Sequence, residues 1–100
     1  MTLDFQTAFG EVIRTRRLAN GMTLRSLSAN GYLALGYLSE VERGQKCPSS
    51  SVIDAIANGL GVAVSELIIE TGLLMANVPD TPESLFTRDP EWNRQYADLR

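Results

Sequence analysis

The side chains able to do chemistry are few and unevenly placed. The 100-residue chain has no histidine and one cysteine, Cys47. A lone thiol closes no internal disulfide, and without a Cys/His cluster no structural zinc is expected. No glycine-rich phosphate loop is visible, nor a pair of acids spaced for shared proton transfer. An enzyme is therefore not expected, and no cofactor is implied. Cys47, beside Pro48, would sense oxidants only if exposed and ionised; an inert loop thiol is the simpler alternative. What remains is charge. The net charge is −3, but its distribution matters more than its sum. Between Arg14 and Lys46, six bases (Arg14, Arg16, Arg17, Arg25, Arg43, Lys46) stand against Glu40 and Glu42, a local excess of +4. From Gly61 onward, seven acids stand against Arg88, Arg94 and Arg100, a local excess of −4. A polyanionic partner would meet the first half.

Those cations need elements to position them. Phe5, Phe9, Val12, Ile13 and Leu18 recur at helical spacing up to Asn20-Gly21, which predicts a first helix. Thr23 is a fitting N-cap for a short second helix through Leu24, Leu27 and Ser28 that ends by Asn30-Gly31. A third runs from about Ala34 to Arg43, with Leu38 and Val41 inward and Gly44 as its stop. Ser51 and Asp54 suggest a capping-box-like start to a fourth helix carrying Val52, Ile53, Ile56, Ala57 and Leu60. Val64, Leu67, Ile68, Leu73 and Leu74 give a fifth. With 44% apolar and 21% charged residues, the chain has the balance of one folded helical domain. The expectation is an all-α, five-helix domain over residues 1–76, followed by an extension over 77–100. The extension is acidic and interrupted by Pro79, Pro82 and Pro90. Its Asp89-Pro90-Glu91-Trp92 start, with Trp92, Tyr96 and Leu99 beyond, predicts a sixth, amphipathic helix. No apolar stretch approaches the roughly 20 residues that span a bilayer. The opening Met1-Thr2-Leu3-Asp4 lacks the basic and apolar regions of a secretory signal, so a cytoplasmic location and no membrane contact are expected.

Two short helices joined by about four residues, the second small and polar on its exposed side, form a unit that fits a DNA major groove. The segment Gly36-Tyr37-Leu38-Ser39-Glu40-Val41-Glu42-Arg43-Gly44 is preceded by Arg17 and Gly21-Met22-Thr23 and followed by Pro48 and Ile56-Ala57. On these residues the chain resembles the Cro/C1-type helix-turn-helix family, also called the XRE family. The likeness runs from Phe9 to Ile68 and includes Leu60-Gly61-Val62 and Glu66-Leu67. Within the family, the stretch from Leu35 through Gly44 is similar to actinobacterial regulators of Clp protease genes. The resemblance implies a lambda-repressor-like domain acting as a transcriptional regulator on double-stranded DNA, with activation of protease or stress genes as the implied role.

Residue by residue, the resemblance implies that Arg17 and Glu42 form a half-buried ion pair tying helix one to the end of the recognition helix. A solvated pair worth under about 1 kcal/mol is the alternative. Thr23 would open helix two toward a phosphate. Leu24 stands where the family usually has a phosphate-gripping glutamine, and Arg25 beside it is the candidate substitute. The base-reading positions match Leu35, Gly36 and Glu40, with Ser39 nearby. These would supply a thymine-methyl contact, a close backbone approach and an acceptor for a cytosine amino group. No glutamine or arginine is present for bidentate readout, so DNA shape is expected to carry part of the specificity. Tyr37, Arg43, Gln45 and Lys46 match the sugar-phosphate contacts; a solubilising surface and, for Tyr37, a partly packed ring are the alternatives. Two departures stand out. Tyr32 occupies the place of the turn glycine, with Gly31 one position early, and Ala34 replaces the capping serine or threonine. A strained turn and a weakened helix start are expected.

One short recognition helix reads too few bases alone, so a homodimer on an approximately palindromic operator is expected. Leu73, Leu74, Met75, Leu85, Phe86, Trp92 and Tyr96 are the candidate dimer or partner contact; packing back on their own domain is the alternative. RNA polymerase is a further candidate partner. A second interpretation is an antitoxin, in which the same fold binds operator DNA while the acidic tail clamps a toxin protein. A third is a protein-interaction module that has lost DNA binding.

Overall fold

The computed structural model describes residues 4–76, which form five helices: α1 (Phe5–Ala19), α2 (Leu24–Gly31), α3 (Leu35–Glu42), α4 (Ser50–Leu60) and α5 (Val64–Ala76). Their ends follow local side-chain chemistry. The Asp4 carboxylate accepts the Thr7 N–H at 2.8 Å and caps α1. This bonding from Thr7 holds the Asp4 pKa below its ordinary value. Asn20 and Gly21 close the helix. Thr23 caps α2 by accepting the Ser26 N–H at 3.0 Å. α3 lies one residue inside the expected span at each end: Ala34 is its N-cap, without a side-chain bond, and Arg43 its C-cap. The start of α4 corrects the sequence expectation. Ser49, and not Ser51, is the N-cap, its hydroxyl accepting the Val52 N–H. Consecutive serines offer the same chemistry, and only the one just outside the first turn can use it. With Val52 at the third helical position, no capping box forms.

The core draws on every helix. Phe9 and Ile13 of α1, Leu27 of α2, Leu38 and Val41 of α3, Ile56 of α4 and Leu67 of α5 are fully buried. At about 1.5–3 kcal/mol for each fully buried apolar side chain, this cluster outweighs any single cap. Leu18 is not part of it and is 57% exposed. At 3.6 residues per turn it lies about 180° round α1 from Phe9, so it faces solvent although it continues the apolar run.

Two close backbone approaches fix how the helices lie. Gly10 of α1 meets the last turn of α3: a Cβ there would sit 2.5 Å from the Glu42 carbonyl oxygen and 2.7 Å from that of Val41. Gly31 and Gly59 do the same for α2 and α4, since a Cβ on Gly59 would fall 3.1 Å from the Gly31 nitrogen. The turn after α2 is strained as expected. Tyr32 takes the left-handed conformation (φ 55°, ψ 44°), which costs a non-glycine residue about 1–2 kcal/mol. Hydrogen bonds hold it there. The Tyr32 N–H donates to the Ala29 carbonyl at 3.3 Å, the Leu33 N–H to the Ser28 carbonyl at 2.9 Å, and the Ser28 hydroxyl to the Leu33 carbonyl.

Because the atoms facing Gly10 are backbone carbonyls that cannot swing aside, Gly10→Ala is expected to destabilise the domain by about 1–3 kcal/mol. Thermal unfolding checks this, with a drop of about 4–8 °C expected per kcal/mol. An unchanged melting temperature would contradict the packing described.

Candidate nucleic-acid interface

α3 has two chemically different sides. Leu38 and Val41 are buried, and the Tyr37 ring packs against the core. Leu35, Gly36, Ser39, Glu40 and Arg43 recur at four-residue steps on the other side. Gly36 and Arg43 are exposed; Leu35, Ser39 and Glu40 are half-buried. Nothing lies within 4 Å of where a Cβ on Gly36 would be. The fold therefore does not require this glycine, whereas a partner approaching the backbone closely would. Since Ala34 supplies no side-chain cap, the first-turn N–H groups of α3 are left without a helical partner.

α2 offers a second such end. Thr23 satisfies the N–H of Ser26 through its hydroxyl and that of Leu27 through its carbonyl. The N–H groups of Leu24 and Arg25 remain for an outside acceptor. The Leu24 side chain packs against the core, so this position serves packing, and the exposed Arg25 is the polar group beside the helix start.

The Arg17–Glu42 pair is present and is not a solvated surface bridge. Arg17 Nε donates to Glu42 Oε2 at 2.9 Å and Nη2 to Oε1 at 2.6 Å, while Nη1 donates to the Met22 carbonyl at 3.0 Å. The two side chains are 13% and 9% exposed. The paired bonds to Glu42 raise the Arg17 pKa above its ordinary value. One guanidinium thus joins α1, the segment leading into α2, and the end of α3.

Its neighbour Arg16 points elsewhere, which residue counting missed. Arg16 Nε donates to Glu70 Oε1 at 2.7 Å and Nη2 to Glu66 Oε2 at 3.1 Å, and the bond to Glu70 raises its pKa. It ties α1 to α5 and contributes little to any field around α3. The available sequence signal was the pair of acids one helical turn apart on α5. Arg14, Arg25, Arg43 and Lys46 are exposed, and none makes an ion pair among the described residues. Gln45 is exposed after the α3 C-cap, and so is Cys47, whose thiol lies 4.0 Å from the Pro48 carbonyl oxygen. Of the residues expected to meet a partner chain, Leu73 is 7% exposed and belongs to the interior. Leu74 is exposed and Met75 half-buried. Leu85, Phe86, Trp92, Tyr96 and the expected sixth helix lie outside the described residues. Ile68, which sequence reasoning did not select as a contact, is 42% exposed.

Arg17→Met strands a largely buried carboxylate and is expected to cost about 3–5 kcal/mol. Adding Glu42→Leu removes that charge and is expected to restore most of the loss. Urea unfolding of the single and double variants is the check; a double variant no more stable than the single one would contradict the assignment.

A helix-turn-helix family model matches residues 13–67. Over 67 residues the chain is 45% identical to the transcriptional regulator ClgR of Mycobacterium tuberculosis, a match covering 67% of this chain and 60% of that protein. The chain thus spans less than two thirds of that relative's length. The crystal structure of the clp gene regulator ClgR from Corynebacterium glutamicum superposes with a TM-score of 0.71 at 36% identity, over 76% of this chain and 81% of that one. The restriction-modification controller protein C.Esp1396I, solved as a tetramer with its natural 35 base-pair operator, superposes with a TM-score of 0.62 at 27% identity, over 69% of this chain and 96% of that one. The five-helix order, the outward face of α3, the Arg17–Glu42 clamp and these matches agree, and the chain belongs to the Cro/C1-type (XRE) family of helix-turn-helix transcriptional regulators.

Proposed function

We propose that the chain works in the cytoplasm as a homodimer that binds double-stranded DNA at specific, approximately palindromic sites and regulates transcription there. α3 enters the major groove, and the start of α2 rests on a phosphate. The observation that carries this is the outward face of α3, whose Gly36 has no steric reason within the fold to lack a side chain. Leu35 and Glu40 read base edges, Ser39 assists, and Thr23, Arg25, Tyr37, Arg43, Gln45 and Lys46 meet the sugar-phosphate backbone. The ring of Tyr37 packs against the core, and its hydroxyl supplies that contact. Two copies meet through the exposed part of α5, around Ile68, Leu74 and Met75, together with residues 77–100. C.Esp1396I assembles as a tetramer on its operator, which supports several copies acting together. ClgR of Corynebacterium glutamicum is a clp gene regulator, which supports clp genes as the target class.

Selection of bound molecules from a random duplex pool tests the proposal. The expected result is a two-fold symmetric motif with half-sites about 34–36 Å apart. Affinity should fall steeply with salt, and Lys46→Ala should weaken binding evenly across sequences while lowering the salt slope by about one. Absence of any enriched motif would overturn sequence-specific binding.

A further inference from the structure

Tyr32 is not explained by the needs of the fold. It is 93% exposed, so its ring buries almost nothing. It also holds a left-handed backbone conformation that glycine adopts at less cost. Packing and backbone preference both favour glycine here, and a strained residue of this kind marks a site whose use lies outside the chain itself. The turn holding it is firm, fixed by the bonds among Ser28, Ala29, Tyr32 and Leu33. It projects the ring from just ahead of α3. The nearby Asn30, Ala34 and Gly36 are exposed and uncharged. From Val12 through Ser39 the sequence contains no acidic residue. This surface therefore repels no polyanion, and it offers nothing to attract a basic protein partner.

We infer that Tyr32 is a DNA-backbone contact, resting on the DNA-binding function proposed above. Its hydroxyl donates to a phosphate oxygen beside the groove that α3 enters, and its ring lies against the adjoining sugar. A rigid turn lets this contact form with little further loss of conformational freedom. Phosphate contacts add affinity without sequence information, so the preferred motif does not depend on Tyr32.

Tyr32→Gly tests this cleanly, because it removes the side chain while relieving the backbone. The full-length wild type, Tyr32→Gly and Tyr32→Phe are compared by fluorescence anisotropy on the duplex recovered by the wild type and on a scrambled duplex. The glycine variant is expected to melt higher than wild type yet bind both duplexes about three- to tenfold more weakly, a loss typical of one hydrogen bond and its contact. The phenylalanine variant, lacking only the hydroxyl, should fall between the two. A glycine variant that binds as tightly as wild type overturns the contact. So does a loss confined to the selected duplex, since that would be base reading. A wild type that binds no duplex removes the proposed function and this contact together, whereas wild-type binding with an unaffected glycine variant removes the contact alone.

Discussion

The seating of α1 on the C-terminal end of α3 is the constraint from which the other features follow. Gly10 lets the two backbones approach until the Val41 and Glu42 carbonyls lie where a Cβ would be. About two turns further along α1, Arg17 grips the Glu42 carboxylate and the Met22 carbonyl. A helix as short as α3 has little stability of its own in water. Its order comes from this double attachment and from burial of Leu38 and Val41. With one side fixed in that way, Leu35, Gly36, Ser39, Glu40 and Arg43 are left facing outward as a rigid set. Preorganisation of that kind is what a recognition surface needs, because every side chain ordered in advance is one not ordered at binding.

Charge is distributed in keeping with this arrangement. Arg16 and Arg17 are adjacent in sequence yet serve different helices, one holding α5 through Glu66 and Glu70 and the other holding α3 through Glu42. Both are internal ties. Among the described residues the cations left exposed are Arg14, Arg25, Arg43 and Lys46, fewer than a count of bases suggests. The absence of acids from Val12 through Ser39 also leaves the cations of that stretch without acidic neighbours in sequence to offset them. A net charge of −3 is therefore compatible with a polyanion-facing surface.

Much of the fold was legible in the sequence because it is written in local terms. Apolar spacing located the helices, and Asn20-Gly21, Thr23 and Gly44 marked their ends. Where local chemistry was degenerate, the boundary slipped: Ser49, Ser50 and Ser51 are equivalent as text, and geometry alone selects Ser49 as the cap. Leu18 continues the apolar run of α1, yet helical rotation carries it to the solvent side. Long-range features left weaker traces. Gly10 is an oddity within an apolar helix until Glu42 is known to lie against it, and Arg16 has no visible partner until α5 folds back. The Arg17–Glu42 clamp was legible only through family likeness, since nothing in the spacing of two residues so far apart announces contact. Leu73 counts among the candidate partner contacts with packing on its own domain as the alternative, and its burial in α5 fits that alternative.

In the proposed function, the outward face of α3, together with the start of α2, is the surface that meets DNA. Backbone amide resonances of the isotope-labelled chain, followed by NMR during titration with the selected duplex, test it directly. The largest changes are expected at Leu24, Arg25, Leu35, Gly36, Ser39 and Glu40, with core amides such as Ile56 little moved. Changes confined to α5, with the amides of α3 unmoved, would contradict it.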